Sequence, residues 1–382
     1  MENNHTLAEN EESTRKRTRD ESDRPDAMSI SETTNTEEVS PLHGRNAVHL
    51  ARRNKLKLDS EIEFVEETHK YYVFGKLVER STTALVHAGF ADFDAVETVN
   101  KYYDAWKRKG LRTGDHKYWN IIQLTTTEGG NVLTDEEAKK EIAESWTRKG
   151  QEASELGTKF HLYCELLWNQ PHVDTLDDLI YASPFETPLR IPSDQLYAQF
   201  GDVRREIAQY HEFLKSKWSR ELGLVVYRSE LSVHYTKNGI TACAGQIDAL
   251  CYSQTTNRYI MIDYKRIKAE KRLHPDEPAF DNKRGKGFLS HVPDTDYYHH
   301  CLQQAIYMVM LKRCTGIEVD AAYLLRVHAD LKDNPDTGRP AYNLVECKPM
   351  HNEAEQVLEQ EYWRLSHASH ADASDDDAPY HL

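Results

Sequence analysis

Hydrophobic residues recur at helical spacing through a long stretch in the middle of the chain, at Ile142, Trp146, Ala153, Leu156, Phe160, Tyr163 and Leu167. Thr134 precedes this stretch and Glu137 follows three residues later, a spacing typical of a capping box at the start of a helix. These positions predict one helix over Asp135–Trp168. Gly150 and Gly157 fall inside it, and a glycine costs a helix about 1 kcal/mol relative to alanine. We therefore expect a break, or the close approach of another backbone, near one of the two glycines.

The centre of the chain has the short, alternating apolar runs that are typical of β-strands. Three such runs follow a second amphipathic helix at residues 196–222, and polar turns separate them; the runs are 224–234, 241–252 and 259–264. A helix at 299–314 and a fourth strand at 321–328 come next, followed by a hairpin arm at 344–347 and a terminal helix at 352–365. The order of helix, three strands, helix and strand predicts a mixed sheet with helices on its faces, which is an α/β fold.

Shorter elements precede the long helix. Residues 62–74 alternate in polarity and lead to a Gly75-Lys76 turn, which indicates a β-hairpin. Helical spacing follows at 84–86 and 96–107, whereas 111–134 has weak periodicity and is predicted to be an irregular insertion.

Polar segments bound this region at both ends. Residues 1–50 and 367–382 are predicted to be disordered tails, because neither segment can bury enough apolar surface to offset the entropy of ordering. Between them we predict a single domain over 55–366, divided into an N-terminal hairpin and helical part, a core, and a terminal hairpin and helix, at 55–134, 135–330 and 331–366. A basic cluster at 15–19 is either a solvated charge run or a nuclear-import signal.

Composition narrows the classes of protein that fit. Of the 382 residues, 39% are hydrophobic, which is enough to form a core. The net charge of −15 argues against a protein that coats nucleic acid over its whole surface. No apolar stretch approaches about 18 residues, so we expect no membrane span. The six cysteines contain no CxxC pair, and no secretory signal opens the chain, so we expect an intracellular protein with reduced thiols and no cysteine metal site. The acidic N-terminus does not support mitochondrial targeting.

Two carboxylates on neighbouring predicted strands give the strongest chemical signal. Asp248 ends Gly-Gln-Ile-Asp in the second strand, and Asp263 lies in Ile-Asp-Tyr-Lys at the end of the third. Paired carboxylates in an apolar setting are unfavourable unless a cation joins them, and such oxygen ligands suit Mg²⁺ or Mn²⁺. Lys265 lies two residues beyond Asp263 and shares its face, so the ammonium could orient a water or stabilise charge on a phosphoryl oxygen. A surface hairpin with an Asp–Lys pair is the alternative.

Polar residues on other predicted elements could complete such a site. His161 and Glu165 are four residues apart on one helix face, so the imidazole could bind the metal and the carboxylate could hold a water or orient the histidine. Gln303 and Tyr307 have the same spacing and could hold the lysine or a phosphate. Glu230 on the first strand could add a carboxylate through a water. Each of these residues is also compatible with an ordinary core or surface position.

The order and spacing of these motifs resemble the PD-(D/E)xK nuclease superfamily, specifically its RecB-like exonuclease branch. The shared pattern is G-T-x-x-H-x-x-x-E, a glutamate in the first strand, G-x-I-D, I-D-Y-K and Q-x-x-x-Y, which begin here at Gly157, Glu230, Gly245, Ile262 and Gln303. The chain also looks like the mitochondrial genome maintenance exonuclease and related nucleases of large DNA viruses and mobile elements. The resemblance covers about residues 60–330.

The resemblance implies a restriction-endonuclease-like core and a metal-dependent deoxyribonuclease. It implies Mg²⁺ or Mn²⁺ held by three side chains and one main-chain carbonyl, namely those of His161, Asp248, Asp263 and Tyr264. Lys265 would be the catalytic lysine, and Gln303 with Tyr307 would support it or the DNA. The four-cysteine cluster of some relatives is absent from the sequence, so no iron–sulfur cluster is expected.

The expected substrate is DNA that is single-stranded or has free ends, in replication, repair or recombination. Residues 265–291 carry eight basic and four acidic side chains, which would favour a phosphate backbone but which an ordinary solvated loop also explains. Several aromatic residues could either stack unpaired bases or form core, namely Tyr102, Tyr103, Trp106, Tyr118 and Trp119. The alternatives are an endonuclease with the same site, and a nuclease-like fold that binds nucleic acid without cutting it.

Overall fold

A computed structural model describes residues 48–130, 132–180 and 193–371 of the chain. The helices in these ranges are α1 (His49–Arg53), α2 (Thr82–Ala88), α3 (Ala95–Thr113), α4 (Trp119–Ile122), α5 (Asp135–Trp168), α6 (Asp177–Ile180), α7 (Ser193–Phe200), α8 (Arg204–Leu214), α9 (Lys217–Glu221), α10 (Asp296–Thr315) and α11 (His351–Ala371). The strands are β1 (Ile62–Val65), β2 (Lys70–Val73), β3 (Lys76–Leu77), β4 (Leu224–Lys237), β5 (Ile240–Ser253), β6 (Arg258–Arg266), β7 (Val319–Val327) and β8 (Asn343–Glu346). The predicted basic cluster at 15–19 and most of both predicted tails lie outside the described residues. None of the described helices is both long enough and apolar enough to span a membrane.

The central sheet has five strands in the order β4-β5-β6-β7-β8. β4, β5 and β6 pair antiparallel in sequence order, because short turns join them. β6 and β7 pair parallel, since α10 carries the chain over the sheet between them, and the predicted hairpin arm forms β8 at the edge, antiparallel to β7. The predicted α/β class with a mixed sheet is therefore confirmed.

Residues along the central strands alternate between two hydrophobic cores, one on each face of the sheet. Met261 and Leu324 belong to a core built with α2, α10 and α11, whereas Ile262 and Leu325 belong to a core built with α5, α7 and α8. Successive side chains of a strand point to opposite faces, so a sheet covered on both sides needs apolar residues at most positions. The apolar runs of β5, β6 and β7 meet this requirement.

Smaller apolar contacts attach the N-terminal elements. One cluster joins the first half of α5 to α3 and α4 through Val99, Tyr103, Tyr118, Ile122 and Ile142. The hairpin predicted at 62–74 is a three-stranded antiparallel sheet, because Gly75, with φ of +75°, turns the chain into β3. Val73 of this sheet packs against Ala244 of β5. The insertion predicted at 111–134 is mainly irregular and contains the short helix α4.

The long helix α5 begins and ends where the sequence predicts. Thr134 Oγ1 accepts a hydrogen bond from Glu137 N, and Glu137 Oε2 accepts one from Thr134 N, which is the predicted capping box. The predicted break or close approach is wrong, because α5 is continuous over 34 residues and a Cβ added to Gly150 or Gly157 would meet no atom of the described residues within 4 Å. The other helix-forming residues and the packing against the sheet outweigh the cost of two glycines.

Other predicted boundaries also differ from the structure. The helix predicted over 196–222 is divided into α7, α8 and α9, because Gly201 begins a turn of 3₁₀-helix and Ser216 caps a new helix. The tail predicted through residue 50 overlaps α1, where Leu50 is buried in the same core as α5. A single buried leucine among charged residues carries no periodic signal, which is why the sequence missed α1. At the other end, α11 extends to Ala371, beyond the predicted domain boundary.

Candidate metal centre and cleft

Three side chains from distant parts of the chain converge beside the central sheet. His161 Nδ1 on α5 lies 3.7 Å from Glu230 Oε1 on β4 and 3.6 Å from Asp248 Oδ2 on β5. One ligand atom of each residue lies within 4.8 Å of the other two, so the three could hold one metal ion. The structure thus brings together His161 and Asp248, two of the predicted ligands. Glu230 was expected to act through a water, but it lies as close to the imidazole as Asp248 does.

The main chain of β6 sets which nitrogen of His161 faces the carboxylates. His161 Nε2 lies 3.0 Å from the carbonyl oxygen of Tyr264, and a carbonyl can only accept, so Nε2 carries the proton of this bond. In the neutral imidazole, Nδ1 is then the nitrogen that can offer a lone pair to a cation. Burial alone would lower the pKa of His161, but the charges of Asp248 and Glu230 outweigh burial and raise this pKa to about 9. The Tyr264 carbonyl, implied by the resemblance as a metal ligand, is bonded to the imidazole in this structure.

Asp248 lies where the ladder between β5 and β6 ends. Ala249 and Ile262 are the last paired residues on this side. Beyond them Asp248 Oδ2 accepts a hydrogen bond from Tyr264 N at 2.7 Å. The carboxylate takes the place of a main-chain acceptor, and this bond holds the side chain beside the imidazole.

Glu230 reaches the site through an unusual backbone conformation. Its φ is +45°, in the left-handed region that residues with a Cβ rarely adopt and that costs roughly 1–3 kcal/mol. Its carbonyl accepts a hydrogen bond from Gln246 Nε2 of the neighbouring strand at 3.0 Å. Burial and the charge of Asp248 raise the pKa of Glu230, although the hydrogen bond with His161 lowers it. Periodicity in the sequence does not mark such a conformation, so the sequence could propose Glu230 but could not position it.

Asp263 and Lys265 form a pair of their own beside this group. Lys265 Nζ lies 2.7 Å from Asp263 Oδ2, as expected for two residues on one face of a strand. Asp263 Oδ1 accepts a hydrogen bond from Gln304 Nε2 of α10 at 2.8 Å. Burial raises the pKa of Asp263 to about 6, although the charge of Lys265 opposes the rise. Asp263 thus faces α10 and lies outside the group of three, whereas the resemblance implies it as a ligand.

Residues of α10 have partners that the sequence did not identify. Gln303 Nε2 donates to Thr83 Oγ1 at 3.1 Å and to the Tyr307 hydroxyl at 3.3 Å. Tyr307 is buried against Gly245, where a Cβ would lie 2.6 Å from the tyrosine ring. The amide that binds the buried Asp263 belongs to Gln304, a residue that was not predicted from the sequence. The available signal was a second glutamine next to the apolar run that follows it in α10, and a buried amide needs a hydrogen-bond partner.

Glu165 lies one helical turn beyond His161 and lines the same cleft. Burial raises the pKa of Glu165 to about 8, with further increases from the charges of Glu230 and Glu66. A carboxyl with such a pKa is mostly protonated at neutral pH and can donate a hydrogen bond. Its expected roles, to hold a water or to orient the histidine, stay predictions.

Two members of the group of three, His161 and Glu230, line a cleft of about 920 Å³. Its walls come from α5, the start of α2, the small sheet, the middle of β4 and β5, and the end of β6. Lys265 and Tyr307 line it together with His161, Glu165 and Glu230. Three more glutamates, Glu63, Glu66 and Glu67, also line the cleft.

Some residues of the regions expected to contact DNA form ion pairs or pack against other residues within the protein. In the basic loop, Arg266 Nε pairs with the buried Glu206 at 2.8 Å, and Lys271 Nζ pairs with Asp296 at 2.8 Å. Among the five aromatic residues that could stack bases, three are partly exposed and two are buried in the cluster of α3, α4 and α5, namely Tyr103 and Tyr118. The contribution of the loop and of the exposed aromatic residues to DNA binding stays a prediction.

Comparisons with known proteins add little to this geometry. No protein-family model matches the chain, and no curated protein matches it. Among solved structures, the chain is similar to the crystal structure of SSO0001, with 15% sequence identity over 51% of this chain and 77% of that chain, and a TM-score of 0.22. A similarity of this size carries no argument about function, so the arguments below rest on the residues of the site.

Proposed function

We propose that this protein is a metal-dependent nuclease that hydrolyses phosphodiester bonds of DNA. The observation that carries the proposal is the convergence of His161, Glu230 and Asp248 within 4.8 Å of one another. An aspartate–lysine pair lies beside them and a cleft leads to them. A cation site, a positioned ammonium and a space for substrate are together what hydrolysis of an anionic ester requires.

The donor set fits Mg²⁺ or Mn²⁺. Two carboxylates and one imidazole nitrogen face a shared space, and carboxylate oxygens are the ligands that both ions prefer. Burial, and to a lesser degree the charge of Asp248, raises the pKa values of Glu230 and Asp263, and a divalent cation would favour their charged forms. When bound, such an ion would lower the pKa of a water and offset the charge that develops on the phosphate.

Lys265 is placed to act on the substrate. Asp263 holds its Nζ, and Gln304 holds the second oxygen of Asp263, so the ammonium has a fixed position. The Lys265 side chain is 20% exposed and lines the cleft, so a phosphate can reach it. An ammonium in this place can donate to a non-bridging phosphate oxygen or orient the attacking water.

We propose a single strand or a free end as the substrate, because the site lies inside a cleft and not on an open face. A duplex would have to separate before one of its strands could enter. An exonuclease and an endonuclease would use the same residues, so the site supports both and the substrate must distinguish them.

The test is a cleavage time course on end-labelled DNA with Mg²⁺, Mn²⁺ or EDTA. The wild type should degrade linear single strands with either ion and leave them intact in EDTA. Asp248→Asn and Lys265→Ala should lower the rate by at least about 100-fold, because each removes a group that acts on the reacting phosphate or its ion. Asp320→Asn is the matched control, since Asp320 pairs with Arg258 at the start of β7 and does not line the cleft.

Circular single strands distinguish the modes of cleavage. A circle that resists while the linear strand disappears indicates an exonuclease, and a circle that is cut indicates an endonuclease. If folded Lys265→Ala cuts as fast as the wild type, the assignment of the site is wrong. Binding without cleavage by the wild type would support the non-catalytic alternative.

A further inference from the structure

The cleft continues past Glu230 into a second cavity of about 620 Å³. Both spaces are lined by Val48, Ala51, Arg228 and Glu230, so they form one continuous surface. The two ends of this surface differ in charge. Five glutamates and three cations line the first part. The second part is lined by three cations, namely Arg52, Lys55 and Arg228, and by two carboxylates, namely Asp59 and Glu230.

The segment that carries Arg52 and Lys55 is fixed to the body of the protein. Asn54 Nδ2 donates to the Tyr227 carbonyl at 2.8 Å, and Arg228 Nη1 donates to the Asn54 carbonyl at 3.0 Å. These bonds attach the chain between Arg52 and Lys55 to β4. The two side chains therefore project from a defined place at the cavity.

Arg52 and Lys55 also differ from the cations around them. Three neighbouring cations each have an acidic partner, Arg53 with Asp174, Lys57 with Glu61 and Arg228 with Asp59. Arg52 and Lys55 are exposed, and neither pairs with an acidic side chain in the ranges that the structure describes. Their charge is available to an anion that enters the cavity.

We infer that Arg52 and Lys55 bind a backbone phosphate of the substrate strand, beside the phosphate that is cut. The inference rests on the proposed function and names the contact that attracts a polyanion into an otherwise acidic cleft. Ser60 and Ser232 line the same cavity and can donate hydroxyl hydrogen bonds to phosphate oxygens. A nucleic-acid strand suits both sites at once, because it repeats its phosphates along one chain.

The first test measures binding of a labelled single-stranded oligonucleotide by fluorescence anisotropy over a range of salt, with Ca²⁺ replacing Mg²⁺. Arg52→Glu and Lys55→Glu should each weaken binding about tenfold and reduce the slope of log Kd against log salt by about 0.7 per lost phosphate contact. Lys332→Glu is the matched control, because Lys332 is exposed and lines neither cavity. It should bind within about twofold of the wild type.

The second test locates the phosphate. Oligonucleotides carry one uncharged methylphosphonate linkage at successive positions and are assayed for binding and for cleavage with Mg²⁺. The methylphosphonate at one position should weaken binding by the wild type about tenfold. The same oligonucleotide should bind Arg52→Glu no more weakly than the fully charged oligonucleotide does. The inference is overturned if no position behaves in this way, or if all three charge reversals have equal effects. If the wild type gives the expected result in both binding tests but never cuts, the proposed function is overturned, whereas the phosphate contact of Arg52 and Lys55 with a nucleic-acid strand still holds.

Discussion

At the level of single residues, the main chain of Tyr264 orients two members of the candidate site. Its carbonyl accepts a hydrogen bond from His161 Nε2, and its N–H donates to Asp248 Oδ2. One residue of β6 therefore holds an imidazole and a carboxylate at once. Glu230, the third member, depends on its left-handed backbone instead. The geometry of the site is thus a property of backbone positions as much as of side chains.

The amide of Gln304 should support both the fold and the site. Gln304→Met keeps the side chain's size but leaves Asp263 Oδ1 without its donor, and an unsatisfied buried acceptor costs about 1–3 kcal/mol. Urea denaturation should show this loss of unfolding free energy. Gln303→Met, one residue away and partly exposed, is the control and should cost less. Equal losses for both variants would contradict the role given to Gln304.

Stability should fall in acid because of His211. It is buried on α8 with Nε2 2.8 Å from the Tyr163 hydroxyl, and burial lowers its pKa to about 4. The unfolded chain, with a histidine pKa near 6.5, binds a proton that the folded protein excludes. This contribution therefore lowers stability as the pH falls from about 6.5 to 4, by up to about 3 kcal/mol. Denaturation curves of His211→Gln should lack this dependence, and those of His351→Gln, an exposed histidine, should retain it.

At the level of elements, the sequence identified those with a strong local signal. The capping residues Thr134 and Glu137 and the long apolar stripe defined α5 at both ends. The same reasoning joined α7, α8 and α9 into one helix, because their apolar spacing is nearly continuous across Gly201 and Ser216. Whether a helix continues through such residues depends on which faces pack against the sheet, and spacing alone does not contain that information.

Two glycines should respond to alanine in opposite directions. A Cβ at Gly245 in β5 would lie 2.4 Å from Thr82 Oγ1 and 2.6 Å from the Tyr307 ring, so Gly245→Ala should cost about 1–3 kcal/mol. Gly150 is exposed on α5 with nothing near it, so Gly150→Ala should add about 0.5–1 kcal/mol. Urea denaturation of the two variants measures both effects. A neutral Gly245→Ala would show that the packing around β5 can adjust.

At the level of the whole molecule, the site lies between two layers. His161 comes from a helix on one face of the sheet, whereas Asp263 faces α10 on the other. The group of three therefore requires α5 and the sheet, and the aspartate–lysine pair beside it requires α10 on the other face. The fold also gathers carboxylates at the cleft of a protein whose net charge is already −15, and the repulsion between them opposes folding.

Metal should therefore stabilise the folded protein through Glu230. At an ion concentration of about 100 times its Kd, the wild type should gain about 2.7 kcal/mol. Glu230→Gln should be no less stable in EDTA, because it removes a buried negative charge, and it should gain less from Mg²⁺ or Mn²⁺. Thermal melts with and without the ions measure both quantities. Glu152→Gln, an exposed position on α5, should respond like the wild type. An undiminished gain for Glu230→Gln would contradict its role as a ligand.

The candidate site was predictable only in part. Asp263 and Lys265 could be placed together from the sequence, because strand alternation puts residues two apart on one face. His161 and Asp248 could be named from motifs, but their distance could not be derived. Gln304 was not found, because burial at a single helix position depends on the neighbouring layer.

The sequence alone determined the features that repeat locally: the capped helix α5, the apolar strands of the central sheet and the shared face of Asp263 and Lys265. The periods of helices and strands are fixed by backbone geometry, so spacing is enough to define them. Only the tertiary structure decided that Glu230 joins His161 and Asp248, and that Arg52 and Lys55 lie along the same cleft. Contacts between residues far apart in the chain arise when the layers pack, and local spacing does not encode them.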